Sequence, residues 1–245
     1  MKRKKFFLIL AVCSLTLTVL GSGGYLIHRH VMLPARQNRD IQQLQELISH
    51  PKILVSQVAE PSENPLESLQ SINPDICGWI RFENLPIDYP VVQTADNDFY
   101  LMHDYKKQNS PYGAIFLDYR CNWQSKNKSL HGHNMDDGSM FAPLLQLTDY
   151  ETYQKNTTFT TIEDGKVCTW EIISVFRHNS DRDDFFYLQP DFNSEQEFID
   201  FVAEIKRRSL FEIPVSVSSG DELLTLSTCS YEQKNNRTVI VAQKR

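Results

Sequence analysis

The sequence predicts a mainly β fold, a closed barrel or sandwich of about eight short strands with helical insertions. Three observations predict it. Short runs rich in β-branched and aromatic residues recur from Gly78 to Ala242. Only one stretch among them, Ser194 to Arg208, has the apolar period of a longer helix. The chain has 245 residues, 41% of them hydrophobic and 11% aromatic, enough for one packed core plus extras. With nine Gly and 11 Pro, collagen-like and low-complexity classes are excluded.

The elements follow in chain order. Phe6 to Ile27 carries no charged residue, and a helix of that length reaches across a hydrocarbon core of about 30 Å. Lys2, Arg3, Lys4 and Lys5 precede it. An uncleaved signal-anchor is expected rather than a cleaved leader, because the run is longer than a leader's apolar region. Gly21-Ser22-Gly23 is the small-residue pattern on which the cleaved alternative rests. Five basic residues and no acidic ones fall in the first 30 positions, so the acid excess lies in the remainder. The tail is then cytoplasmic and the bulk of the chain outside. The net charge of −6 argues against nucleic acid as a partner.

Residues 34–60 read as a helical stalk: Ile41, Leu44, Leu47 and Ile48 keep a 3.6-residue period, and Pro51 ends it. Pro61 to Pro65 reads as a linker, and Leu66, Leu69 and Ile72 as a short helix. Strands are expected at 78–82 and at 87–92, the second broken or at an edge because of Pro90. A short helical or irregular segment spans 97–103. Further strands are expected at 113–117, 129–131, 157–162, 167–176, 223–227 and 238–242, with a short helix at 139–147. Ser194 and Glu197 mark the start of the longer helix, whose stripe is Phe198, Phe201, Val202 and Ile205. The domains expected are therefore 1–30 (tail and anchor), 31–74 (stalk) and 75–245 (barrel).

Cys13 lies in the apolar run. Cys77, Cys121, Cys168 and Cys229 show neither CxxC nor zinc-finger spacing with His. A domain of this size does not need disulfides, and free Cys is by default a small buried hydrophobe. Cys229 differs: it ends an apolar run, Leu223–Leu226, beside polar Ser227, Thr228 and Ser230. A strand end entering a polar loop both fixes a nucleophile and exposes it. A thiol needs a base or cation to act, and His133 and Arg237 offer one each. A guanidinium also serves an oxyanion, since it keeps its charge and aims a fork of donors. On spacing alone the alternative is a buried Cys229, a turn-capping His133 and an Arg237 paired with Glu232. His131-Gly132-His133 places two imidazoles on one strand face, a metal pattern that would need Asp136 or His103 as a third ligand. No other cluster supports it.

At these residues the chain resembles a known family. Thr225–Cys229 (TLSTC) with Arg237 resembles the active-site strand of sortases, cysteine transpeptidases of Gram-positive bacteria. His131–Phe141 (HGHNMDDGSMF) and Gly113–Arg120 (GAIFLDYR) resemble the class B subgroup. The resemblance covers about residues 75–245. It implies a sortase-type closed β-barrel with N-terminal helices and a helix between strands six and seven, where 194–208 lies. It implies that Cys229 attacks a peptide bond in a C-terminal sorting signal of a secreted protein, forming a thioacyl-enzyme. An amine, from a peptidoglycan cross-bridge (lipid II) or a pilin lysine, then resolves it. His133 is implied as acid and base, and Arg237 as substrate holder and oxyanion donor, helped by the Ser230 backbone. Asn97, Leu101, Asp183, Tyr187, Leu188, Ser227 and Thr228 are implied to line the peptide groove. No cofactor and no metal are implied. A membrane-anchored cysteine hydrolase and a non-catalytic surface-binding ectodomain are the alternatives.

Overall fold

The strands close into a barrel in the order β1-β2-β3-β4-β7-β8-β6-β5. They are β1 Ile76–Arg81, β2 Asp88–Val92, β3 Ile115–Leu117, β4 Asn127–Gly132, β5 Thr158–Glu163, β6 Lys166–Asn179, β7 Leu223–Ser230 and β8 Asn236–Lys244. This is a computed structural model that describes residues 2–49, 66–230 and 236–245; side chains are described for 14–28, 31–48, 66–228 and 236–245. The expected stalk end at Pro51 and the linker Pro61–Pro65 lie outside the described residues. The chain divides into two compact units, Met1–Glu46 and Leu47–Arg245.

In the first unit, α1 (Lys2–Ile27) runs through Gly21, Gly23 and Gly24, and α2 (Leu33–Ser49) begins there. A π-turn at His28–Met32 joins them, with the Leu33 N–H bonded to the His28 carbonyl. Pro34 cannot donate to a preceding carbonyl, which accounts for the widened turn. Among the described residues no helix is long and apolar enough to cross a membrane.

The second unit holds α3 (Glu67–Gln70) and the whole barrel, so the fold is mainly β, as the residue pattern predicts. Two strand pairings are parallel, β2 with β3 and β4 with β7; the rest are antiparallel. Pro90 sits in β2 opposite Trp79, but β3 pairs only with Val91 and Val92. Its missing N–H thus falls beyond the β3 ladder, which is how a closed barrel tolerates it. The predicted helix at 139–147 is a 3-10 helix, Ala142–Thr148, with Pro143 in its first turn. A short helix absent from the sequence reading, α4 (Tyr150–Gln154), follows, capped by Asp149. Within the barrel wall Lys128 is fully buried, paired with Glu222 and 5.5 Å above the Trp170 ring. A buried ammonium needs such partners.

The longer helix, α5 (Glu195–Arg208), lies between β6 and β7 in sequence. The Ser194 Oγ accepts the Glu197 N–H at 3.1 Å, and basic residues fill the last turn, matching the helix dipole. Phe198, Phe201, Val202 and Ile205 bury against Ile173, Phe176, Val239 and Val241 of β6 and β8. Each such side chain stabilises by about 1.5–3 kcal/mol when fully buried. Tyr187, on the loop before α5, belongs to the same cluster, and Leu188 packs against it. The helix thereby clamps the loop that walls the site.

Candidate active site

β4 and β7 run parallel, with Gly132 opposite Thr228. One residue further along come His133, just past the end of β4, and Cys229, still within β7. β7 and β8 run antiparallel, with Cys229 opposite Arg237. Adjacent strands lie about 4.8 Å apart, so His133, Cys229 and Arg237 share one level at one end of the barrel. The backbone thus joins three residues that the sequence separates widely. The side chains of Cys229 and Ser230 lie outside the described residues; Ser230 pairs through its backbone with Asn236.

His133 is held by a loop. Its Nε2 is 2.7 Å from the Leu101 carbonyl oxygen. A nitrogen facing a carbonyl must donate, so Nε2 carries a proton, and Nδ1 is the nitrogen left to take up or release one. Leu101 ends a 3-10 turn, Phe99–Leu101, whose Tyr100 carbonyl accepts from Ala114 N at 2.9 Å. Gly113 makes that approach possible at φ +58.

Below this level lies a groove of about 270 Å³. Of the residues expected in it, Asn97, Leu101, His133, Tyr187, Leu188, Ser227, Thr228 and Arg237 line it. The Tyr187 hydroxyl lies 3.0 Å from Ser227 Oγ, and the Thr228 hydroxyl donates to the Gly132 carbonyl at 2.7 Å. The second bond ties β7 to β4 one residue short of Cys229 and His133. A larger depression, about 510 Å³, opens at the other end of these strands beside Lys126, Phe198 and Glu222, and none of the motif residues borders it.

Asp183 is not among the lining residues. Arg208 Nη1 and Nη2 donate to its two oxygens, the second at 3.1 Å, and these bonds hold its carboxyl below the usual range. His178 lies 3.5 Å from Asp183, unaligned for a hydrogen bond, and its ring packs edge-on to Tyr187 at 4.8 Å. Burial pushes the His178 imidazole down, despite the opposing pull of Asp183. Asp183 therefore braces α5 and the groove loop from outside.

Four more residues line the groove: Asp98 and Phe116, which the sequence reading did not name, and His131 and Gly132, which it read only as part of a metal pattern. His131 stands two residues before His133, on the same strand face, and serves the groove wall instead. Its Nε2 lies 3.0 Å from Asp118, whose side chain is 1% exposed. Asp118 also accepts from Arg120 and from Asn97 Nδ2 at 2.9 Å. Burial alone would raise this carboxyl, but the bonds from Arg120 and His131 prevail and hold it far below the carboxylate range. The other cysteines contrast with a nucleophile: burial pushes the thiol of Cys77 up to about 12 and those of Cys121 and Cys168 up to about 11. Among the described residues no group of three His, Cys, Asp or Glu is placed to hold a metal ion.

The sortase domain model matches residues 80–245, which carry every element of this site. The chain belongs to the sortase family. Sortase B of Listeria monocytogenes is 33% identical over 235 residues, 94% of each chain. The structure of Clostridium perfringens sortase B superposes with a TM-score of 0.70 at 36% identity, covering 73% of this chain and 98% of that one. A Staphylococcus aureus sortase B–substrate complex superposes at 0.77 with 28% identity, covering 87% and 98%. This sortase is thus a cysteine transpeptidase of the sortase B kind, on the closed barrel that the family resemblance implies.

Proposed function

We infer that the enzyme works through Cys229, His133 and Arg237 on the sorting signal of a secreted protein and passes it to a peptidoglycan or pilin amine. The observation that carries the reading is the shared register level of the three residues above a walled groove. In the reaction the Cys229 thiolate adds to the scissile carbonyl, and the oxyanion that forms is met by the Arg237 guanidinium. The C–N bond then breaks, and the leaving nitrogen takes a proton from the His133 imidazolium. An incoming amine adds to the thioester, gives its proton to His133 and expels the thiolate. Ser227, Thr228, Tyr187 and Leu188 wall the acyl part of the peptide meanwhile. Asn97 and Leu101 border the peptide, while the Ser230 backbone, implied by the resemblance as an oxyanion donor, is instead engaged by Asn236 of β8, which leaves the oxyanion to Arg237.

The uncharged run Phe6–Ile27 behind Lys2–Lys5 supports a single-pass anchor with the barrel outside the membrane. The test is mass spectrometry of peptide products with and without an added amine such as triglycine. Amide product is expected from the wild type and neither thioester nor product from Cys229→Ala. Hydrolysis alone, with amine in excess, would overturn the transfer step, and activity in Cys229→Ala would overturn the site.

A further inference from the structure

The groove's far end carries a patch that the catalytic residues do not use. Tyr119 is 52% and Phe186 49% exposed, and the two rings flank one cation, so they form a joint patch rather than scattered apolar residues. The Arg120 guanidinium lies over both, 5.8 Å and 5.1 Å from their centroids. It cannot drift: Nε and Nη2 grip the two oxygens of buried Asp118 at 2.8 and 2.6 Å. That carboxylate also holds His131 and Asn97, which line the groove. Phe186 directly precedes the lining residues Tyr187 and Leu188. The patch therefore continues the groove wall.

Its distance from the chemistry follows from register. Phe116 pairs with His131 and Leu117 with Leu130, and Asp118 N bonds the Ser129 carbonyl. Ser129 stands four residues before His133 on β4, about 13 Å at 3.3 Å per residue. An extended peptide covers that span in about four residues. A groove of about 270 Å³ falls below the roughly 300–1,000 Å³ of drug-sized pockets, so a longer peptide must run past its end. The direction follows from the two half-reactions. The acyl part stays bound through both, whereas the other side must empty and then admit an amine. The walled groove thus suits the acyl part, and what leaves its far end is the chain before the motif.

We propose that Tyr119, Arg120 and Phe186 form a docking subsite for the substrate residues that precede the sorting motif, with an apolar or aromatic side chain seated beside the two rings. The proposal rests on the transpeptidase reading of the groove. Its test uses the full chain and three quenched fluorogenic peptides: a motif selected by screening, the same motif preceded by Leu-Phe-Asn, and the motif followed by Leu-Phe-Asn. The preceding extension is expected to raise kcat/KM about fivefold to tenfold, mainly through KM, as partial burial of a ring would. Tyr119→Ala with Phe186→Ala should abolish that gain while turning over the bare motif at the wild-type rate. Tyr119→Phe, which keeps the ring, should retain it. An equal gain from the following extension, a gain surviving in the double variant, or an equal loss on the bare motif would each overturn the subsite. Failure of the wild type to turn over any peptide would instead remove the transpeptidase reading, and the subsite with it.

Discussion

Replacing Gly113 with alanine tests how His133 is held. Gly113 has φ +58, and a Cβ there would lie 2.5 Å from the Tyr100 carbonyl oxygen and 2.8 Å from that of Leu101. It would also lie 3.1 Å from Cδ2 of His133. The first two neighbours are backbone atoms, one already bonded to Ala114 N, so they cannot swing aside as side-chain ends do. Left-handed φ costs an L-residue about 1–2 kcal/mol, and overpacking adds typically about 1–3 kcal/mol. The variant should therefore lose about 2–5 kcal/mol, a Tm drop of roughly 4–20 °C for a domain of this size. Relief requires moving the Leu101 carbonyl, and the 2.7 Å contact to Nε2 moves with it. A misplacement on the order of 1 Å costs about 10²-fold, so kcat should fall by one to two orders of magnitude in the folded fraction. Thermal melts by circular dichroism, paired with peptide turnover well below Tm, measure both. A Tm within about 2 °C of wild type together with an unchanged kcat would refute the reasoning. Gly132→Ala is the comparison: its Cβ meets Ile115 Cδ1 at 2.4 Å and the Phe141 ring at 2.9 Å, so it overpacks buried side chains without pressing on the Leu101 carbonyl.

Arg237→Lys should lose most turnover, because a point ammonium lacks the guanidinium fork; steady-state kinetics near the wild-type value would count against the oxyanion role. Asp118→Asn should destabilise by about 1–3 kcal/mol at pH 7, since the hydrogen bonds of Arg120 and His131 lose a charged acceptor, and urea melts would read it. The sign of the pH dependence follows from the lowered Asp118 carboxyl: its contribution is complete above the ordinary pKa of about 3.9 and fades only as pH falls below it toward the lowered value. Stability lost between pH 7 and 5 in the wild type therefore does not come from protonation of Asp118 itself. Ser194→Ala should cost about 0.5–2 kcal/mol by uncapping α5, with kcat unchanged.

The strands were legible wherever β-branched and aromatic residues run together, and α5 from Ser194, Glu197 and its apolar stripe. The ends were not. β6 extends past Phe176 through Arg177, His178 and Asn179, polar residues that read as a loop. They are strand because β8 pairs with each of them, and pairing partners are invisible in a local window. β7 likewise continues past Ser227 to Ser230 against Asn236. The motifs single out His133, Cys229 and Arg237, and the strand register brings their backbones to one level. The Asp118 network was not legible, because only the β3–β4 register brings it beneath His131. Asp183 shows the converse. A carboxylate near Tyr187 fits a groove on paper, yet Arg208 at the end of α5 claims it.

The parallel pairing of β4 with β7 has a consequence for timing. The bond that locks the two strands at the catalytic level, from Thr228 to Gly132, closes a loop of 96 positions. Local contacts form early and such distant ones late, at the cost of a large closure entropy. The thiol and the imidazole are thus strangers until the penultimate strand docks, and the guanidinium arrives only with the last. On the proposed site, a chain cut short before β8 would carry Cys229 without the Arg237 that the complete barrel sets opposite it.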